Sequence, residues 1–420
     1  MEPVLSALPE SSGDVRRGYH LIAQLATSPI GPLWVGRSAA GVERGRVVLL
    51  RRLAKPLPLD TVTFRRAAIA AFAAREVRDP RLLAVLDVVV GDSELGVVSE
   101  YVEGELLRSL QKRCGLGNRP FDLRVALRLG LDVTLAAIAA KQGFLHANGA
   151  GDAAGSVHGG LLPDSILVAS YGESALLDVG ASSAALSRHD LAQRADVIGY
   201  RAPEQILMGA ADERSDVFTV GVLLWELCAN RPLFGSPRWA RLSSVPPPPG
   251  NDESAGVQEA ARTRRKVLEM PIPRLDAVVR AGAPVPKDVA AVIAHALERD
   301  PGKRTPSLEA LGQALEELGS KRFAPTEEVG AWVKSVASTS LEARRVALAA
   351  VTGQPSRPPT SRDATSRTTM PPAPTIDPVG LYFEELVTSS DALAALARES
   401  PHEPTPPPLP RRRTTPVEKE

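Results

Sequence analysis

Cysteine is almost absent from this chain: two occur in 420 residues, Cys114 and Cys228, far apart and in apolar text. That excludes a disulfide framework and a thiolate metal site, and it suits a reducing compartment. Net charge is absent too. Fifty basic against 49 acidic residues leave a formal +1, so no overall field exists to draw in nucleic acid or an anionic membrane surface. Long apolar runs are missing: no stretch approaches the roughly 18 residues that a membrane-spanning helix needs. The most apolar stretch, Val217 to Leu227, is short and holds Glu226. The opening text, MEPVLSALPESSGD, has no basic patch followed by an apolar segment, so no secretory leader is expected. His146, His158, His189 and His295 are scattered without metal-ligand spacing. These absences together predict a cytoplasmic protein whose partners are neither nucleic acid nor membrane.

What is present is enough apolar residue, 44%, to bury a sizeable core. Residues 1–17 are polar and expected to be loose. From Gly18 to Val102 short apolar runs alternate with turns. GRVVLLRRL, LLAVLDVVV and LGVVSEYV read as strands, and the alanine-rich FRRAAIAAFAAREV between the first two reads as a helix. After Leu106 the periodicity becomes helical, in FDLRVALRLGLDVTLAAIAAKQ, KDVAAVIAHALERD and SLEALGQALEEL. DVFTVGVLLWELCA is apolar nearly all round and predicts a buried central helix. A proline-rich interruption between Gly235 and Thr263 predicts a surface loop. Residues 325–352 predict one or two more helices, and from 354 onward Pro, Thr, Ser and Arg predominate, the composition of a disordered tail. Within that tail, VGLYFEELVTSSDALAALAR keeps helical spacing and PHEPTPPPLPRRR has the character of a polyproline segment. The serines and threonines of 356–369 suit modification by a separate kinase.

Three further motifs recur in order. YRAPEQ at 200–205, SDVFTVGVLLWEL at 215–227 and LERDPGKRTPS at 297–307 resemble the A-P-E segment, the central large-lobe helix and the arginine-bearing turn of Hanks-type serine/threonine protein kinases. The resemblance covers about 18–320. It implies an α+β, bilobal protein-kinase-like fold, with a small antiparallel-sheet N-lobe at 18–103 and a helical C-lobe at 104–320. A helical extension at 321–353 and the tail at 354–420 follow. It also implies a buried Glu204–Arg304 ion pair, a backbone-anchoring role for Asp216, and structural roles for Gly221 and His158.

Phosphoryl transfer in that family needs a glycine-rich loop, a strand lysine paired with a helix glutamate, a catalytic aspartate and metal ligands. The loop position reads LATSPIGPLWVGRS, where only Gly31 and Gly36 remain and Pro29 and Pro32 remove N–H donors. An ordinary hairpin is the expectation there. The strand lysine is matched by Arg51, a planar fork and not an equivalent substitute; Lys55 falls off the strand register. The helix glutamate is matched by Ala67, and Glu76 comes more than two turns later. In VHGGLLPDSILV at 157–168, His158 is kept. The arginine becomes Gly159, the catalytic aspartate Gly160, the following basic residue Leu162 and the metal-binding asparagine Ser165. Glycine has no group to accept a proton, and loss of a positioned base costs about 10²–10⁴-fold in rate. Asp164 stands close to the missing base, but using it would require the loop to shift. Asp178, Val179 and Gly180 match D-F-G, so Asp178 is the candidate magnesium ligand, and equally a turn residue at a strand end. Ser182, Ser183 and Ser187 lie in the activation-segment region without the arginine that would receive a phosphate.

Structural positions therefore keep the family's residue types while chemical positions do not. The leading expectation is a catalytically deficient pseudokinase, a scaffold or allosteric regulator in phosphorylation signalling. Its partner would be a protein, such as an active kinase or that kinase's substrate. A weak ATP-dependent serine/threonine kinase and a non-catalytic nucleotide sensor are the alternatives. No cofactor is demanded by the leading reading. ATP with magnesium is the candidate for the others, held by Asp178, Ser165 and Arg51.

Overall fold

A computed structural model of the chain describes residues 18–39, 44–53, 62–90, 95–116, 121–148, 160–186, 194–207, 212–235, 252–280 and 283–352. His158, Gly159, Lys55, Ser187, His189 and the tail from 353 onward, with its apolar island and proline-rich end, lie outside them.

The first lobe is a five-stranded antiparallel sheet in the order β1-β2-β3-β5-β4. Its strands are β1 (Tyr19–Ala26), β2 (Leu33–Ser38), β3 (Val47–Arg52), β4 (Val85–Val90) and β5 (Leu95–Glu100). The three strands legible in sequence are β3, β4 and β5. The hairpin at the loop position adds the other two. In β3 both faces are buried, because side chains alternate across the pleat. Val48 and Leu50 join Val98 in one cluster on one face. Leu49 packs with Leu33 and Val35 on the other, and Arg51 shares that face with Leu49. Helix α1 (Val62–Ala74) packs on this lobe beside β4.

A segment at 101–106 leads to the second lobe. It ends in β6 (Gly104–Leu106), which pairs with β7 (Ile166–Ala169), itself paired with β8 (Ser174–Leu176). The helices that follow are α2 (Leu107–Leu116), α3 (Leu123–Asn148), α4 (Ala181–Leu186), α5 (Ala195–Ile198) and α6 (Pro203–Leu207). Next come α7 (Glu213–Ala229), α8 (Asp252–Leu268), α9 (Lys287–Ala296), α10 (Leu308–Glu316) and α11 (Thr326–Thr352). The 15 residues from Ser215 to Ala229 are all buried, which is why the sequence there is apolar on every side. Asp212 caps α7 by accepting from the Arg214 N–H, and Asn230 ends the helix in the left-handed region at φ 52°. Helix α3 approaches α7 closely at Gly130, where a Cβ would overlap Leu224.

One expectation needs correction. The proline-rich surface loop was placed at 235–263, yet α8 begins at Asp252. The prolines end at Pro249. The text beyond them, DESAGVQEAARTRRKVL, carries acids at its start and bases at its end, in line with the helix dipole.

Residues 326–352 form one helix of 27 residues. Its first turns lie against the β7–β8 turn. Gly172 there has φ 107°, and a Cβ on it would run into the Thr326 carbonyl. A Cβ on Gly330 would come within 2.7 Å of the Tyr171 backbone. The two backbones meet without intervening side chains. Gly172→Ala should therefore lower stability by at least about 2 kcal/mol, from positive-φ strain and displacement of α11. A urea midpoint unchanged from the parent would refute this.

Candidate nucleotide site

β3 sends Arg51 into the space between the lobes, where its side chain is 0% exposed. Its Nε donates to Asp178 Oδ2 at 2.7 Å. Its Nη1 donates to Ser28 Oγ at 3.1 Å and to the Gly31 carbonyl at 3.0 Å, and its Nη2 donates to the Asp164 carbonyl at 2.8 Å. Four of these bonds tie one guanidinium to the β1–β2 loop, the loop preceding β7 and the end of β8. Asp178, 1% exposed, sits at φ 54°, and its carbonyl accepts from the Ser182 N–H as α4 begins. Charge-assisted bonds in so dry a site are much stronger than at a surface.

The loop that would cradle phosphate is turned inward. Ile30 is fully buried, and Gly31 directs its carbonyl at Arg51. Ser165 Oγ donates to the Leu162 carbonyl at 2.8 Å and accepts from the Leu162 N–H at 3.2 Å, so it closes its own turn. Leu162 and Gly160 are both buried. Leu49 joins Leu33, Val35, Leu106 and Leu167 in one buried cluster spanning β2, β3, β6 and β7. These residues come from both lobes, so one apolar core runs across the boundary between them.

Among the described residues, no side chain of helix α1 bonds to Arg51. Ala67 is fully buried, with Ala68 and Ala71 beside it, and α4 packs against this helix. Glu76 lies past the helix end and is exposed. Asp164 is 3% exposed, and its carboxylate accepts from Arg108 Nε at 3.0 Å. Arg108 also donates to Tyr200 Oη at 2.9 Å, and Tyr200 donates to Glu226 at 2.6 Å. Burial alone would lower the Arg108 pKa, but Tyr200, Asp164 and Glu226 outweigh it and hold the guanidinium above its ordinary value. Burial pushes the Tyr200 hydroxyl upward, with Glu226 adding to the rise and Arg108 opposing it, and it pushes the Glu226 carboxyl upward against the donors Tyr200, Arg108 and Gln111.

Below this cluster, Arg304 donates from Nη1 to Glu204 Oε1 at 2.7 Å and from Nη2 to Oε2 at 3.0 Å. Ser215 donates to Glu204 at 2.8 Å. Arg304 also donates to the carbonyls of Glu298, Arg214 and Arg299. Burial alone would raise the Glu204 pKa, but these donors reverse it and hold the carboxyl below the usual range. Asp216 is buried in the first turn of α7. Residues 157–159 of the catalytic loop it is expected to anchor lie outside the described residues. Gly221 is a close approach of α7, where a Cβ would come within 3.1 Å of Ala296.

Of the residues singled out in sequence, the fold thus brings Arg51 and Asp178 into direct contact and keeps Ala67 and Ser165 out of their bond network. Leu49, Arg108, Tyr200 and Glu226 were not singled out as site residues. The spacing of Leu49 from Arg51 by two on a strand was the available signal for the first. The other three meet only through the packing of α2, α5 and α7.

The protein kinase domain model matches residues 70–314, more than half the chain. The chain belongs to the protein kinase domain family, and the bilobal fold implied by its motifs is the fold it has. It is 28% identical over 313 residues to the serine/threonine-protein kinase PknA of Mycobacterium tuberculosis, covering 71% of this chain and 66% of that protein. It is 25% identical over 333 residues to PknL of the same species, covering 79% and 71%. PknB of Mycobacterium leprae is 27% identical over 203 residues, covering 47% and 30%. The chain thus spans just under two thirds of the length of PknA.

Two outcomes follow from the buried pairs. Arg51→Ala leaves Asp178 as an uncompensated buried charge and should cost about 3–5 kcal/mol, much of it recovered in Arg51→Ala/Asp178→Ala. A double variant no more stable than the single one, measured by chemical denaturation, would count against the pair. Glu204 has a folded pKa below its unfolded value, so its contribution is complete above about pH 4.3 and is lost as pH falls through the folded value. Glu204→Gln should flatten that part of the stability–pH curve between about pH 5 and 3 while lowering stability at pH 7.

Proposed function

We propose that the chain is a pseudokinase, a protein-kinase-like scaffold or allosteric regulator in phosphorylation signalling that acts by binding a protein partner. One observation carries this reading: the Arg51 guanidinium, with no exposed surface, takes up the carboxylate of Asp178 at 2.7 Å. Asp178 is the acid that would hold magnesium, and a carboxylate neutralised by a buried arginine is a poor hard-cation ligand. Ser165, the second ligand position, is spent on Leu162. The inward β1–β2 loop presents Gly31's carbonyl oxygen where an anion would need donors. ATP with magnesium does not fit these residues as they are arranged. Asp164 as a relocated base is disfavoured by its pairing with Arg108.

The domain boundaries proposed with this reading are 18–320 for the kinase-like domain, 321–353 for the helical extension and 354–420 for the tail. Among the described residues no helix is long and apolar enough to cross a membrane. A cytoplasmic location and an active kinase or its substrate as partner are part of the same proposal. The competing reading, a weak serine/threonine kinase, draws on the names of the relatives, and the nucleotide sensor stands between the two.

A thermal-shift titration of the full chain with ATP, with and without magnesium or manganese, separates them. A ligand at 100 times its Kd adds about 2.7 kcal/mol to a folded state it alone binds. The expected result is no shift at millimolar ATP. A metal-dependent shift without transfer to a protein substrate would favour the sensor. Transfer that disappears in Asp178→Ala would overturn the pseudokinase reading.

A further inference from the structure

Helix α11 does not end on the lobe where it begins. Near its start, Trp332 lies against Phe121 with ring centroids 4.7 Å apart, and Gly330 rests on the β7–β8 turn, both in the second lobe. Four turns later the helix reaches the first lobe. Leu348, 5% exposed, enters the cluster of Leu33, Val35 and Leu49, with Ile22, Leu25 and Ala26 of β1 packed around it. At the far end Arg37 of β2 donates to the Val351 carbonyl at 3.0 Å. A stretch of 27 helical residues is about 40 Å long at 1.5 Å per residue, enough to span both lobes.

Between these ends the helix meets the connecting segment, 101–106. Arg345 donates to Glu103 through Nε at 2.6 Å and Nη2 at 3.2 Å. Arg344 donates to Glu105 at 3.1 Å, and Ser340 Oγ donates to the same carboxylate oxygen at 2.6 Å. Glu103 and Glu105 are 6% and 2% exposed, and among the described residues this helix supplies most of their side-chain donors, with Ser170 Oγ adding a bond to Glu103 at 3.4 Å. Arg113 stands farther off, 3.9 Å from Glu105. The fork of Arg345 on Glu103 is bidentate, a geometry that fixes direction as well as distance. A segment joining two lobes is where closure motions are absorbed.

We propose that α11 is an intramolecular strap that fixes the angle between the two lobes by clamping the connecting segment through Arg344–Glu105 and Arg345–Glu103. The lobe angle is then set by the chain itself, whether or not a nucleotide binds. This follows from the placement of one helix and stands apart from the pseudokinase reading.

The test is the distance between lobes in the full chain, with spin labels at the exposed positions Arg44 and Lys303, read by pulsed dipolar spectroscopy. The parent should give one narrow distribution. In Arg344→Ala/Arg345→Ala the distribution should broaden at least about twofold, the signature of a freed hinge. Arg345→Glu should broaden it as well, and the exchanged pair Glu103→Arg/Arg345→Glu should narrow it again. Hydrogen exchange in α7 serves as the check on folding, and it should stay unchanged throughout. An unaltered width in the double-alanine variant overturns the strap. So does an exchanged pair as broad as Arg345→Glu alone, which remains decisive if the double-alanine variant loses protection in α7.

Discussion

A guanidinium with no exposed surface carries a full positive charge into the driest part of the domain. Stripping water from an arginine is costly, and the chain offsets that cost by surrounding Arg51 with the carboxylate of Asp178 and three further acceptors. Three segments around the cleft meet on this one group. The β1–β2 loop must turn inward to supply Ser28 and Gly31. Asp178 must take a left-handed conformation to reach Nε. The turn before β7 must present the Asp164 carbonyl. A side chain chosen for a different geometry, such as lysine on the same strand, has no fork to hold all four partners.

The same solution recurs below the cleft. Asp164, Glu226 and Glu204 are each buried acids, and each is met by a donor from the chain: Arg108, Tyr200 and Arg304. These pairs tie α2, α5, α6 and α7 to the turn after α9. Breaking any one strands a charge, whereas replacing a whole pair with apolar groups would cost little. The pairs therefore act mainly to specify arrangement. The Glu204–Arg304 pair is one that the family resemblance implies, whereas Asp164 and Glu226 meet Arg108 and Tyr200 in contacts that the motifs alone did not indicate.

Much of the fold was legible because its signals are local. The apolar circumference of α7, the alternation in β3 and the order of three motifs are all properties of short windows. The chemical positions were read as substitutions from residue identity: Gly160 has no side chain and Ala67 only a methyl, so neither offers a proton acceptor or a charge. The end of the proline-rich loop was misread because the composition of 235–263 was averaged across a boundary at Asp252. Arg108 was invisible for another reason. Nothing in LRSLQKRC distinguishes a surface arginine from one buried against Asp164 and Tyr200, residues 56 and 92 positions away.

The sequence by itself determined the family, the two-lobed class and the buried central helix. Each depends on residue identity at a position, and identity can be read directly. Only the tertiary structure decided what the altered residues do instead. That Arg51 meets Asp178, that Leu49 and Leu167 share one core, and that α11 reaches back to Glu103 are facts of proximity between segments far apart in the chain. Burial then makes these contacts count, because a charge removed from water must find its partner inside the fold.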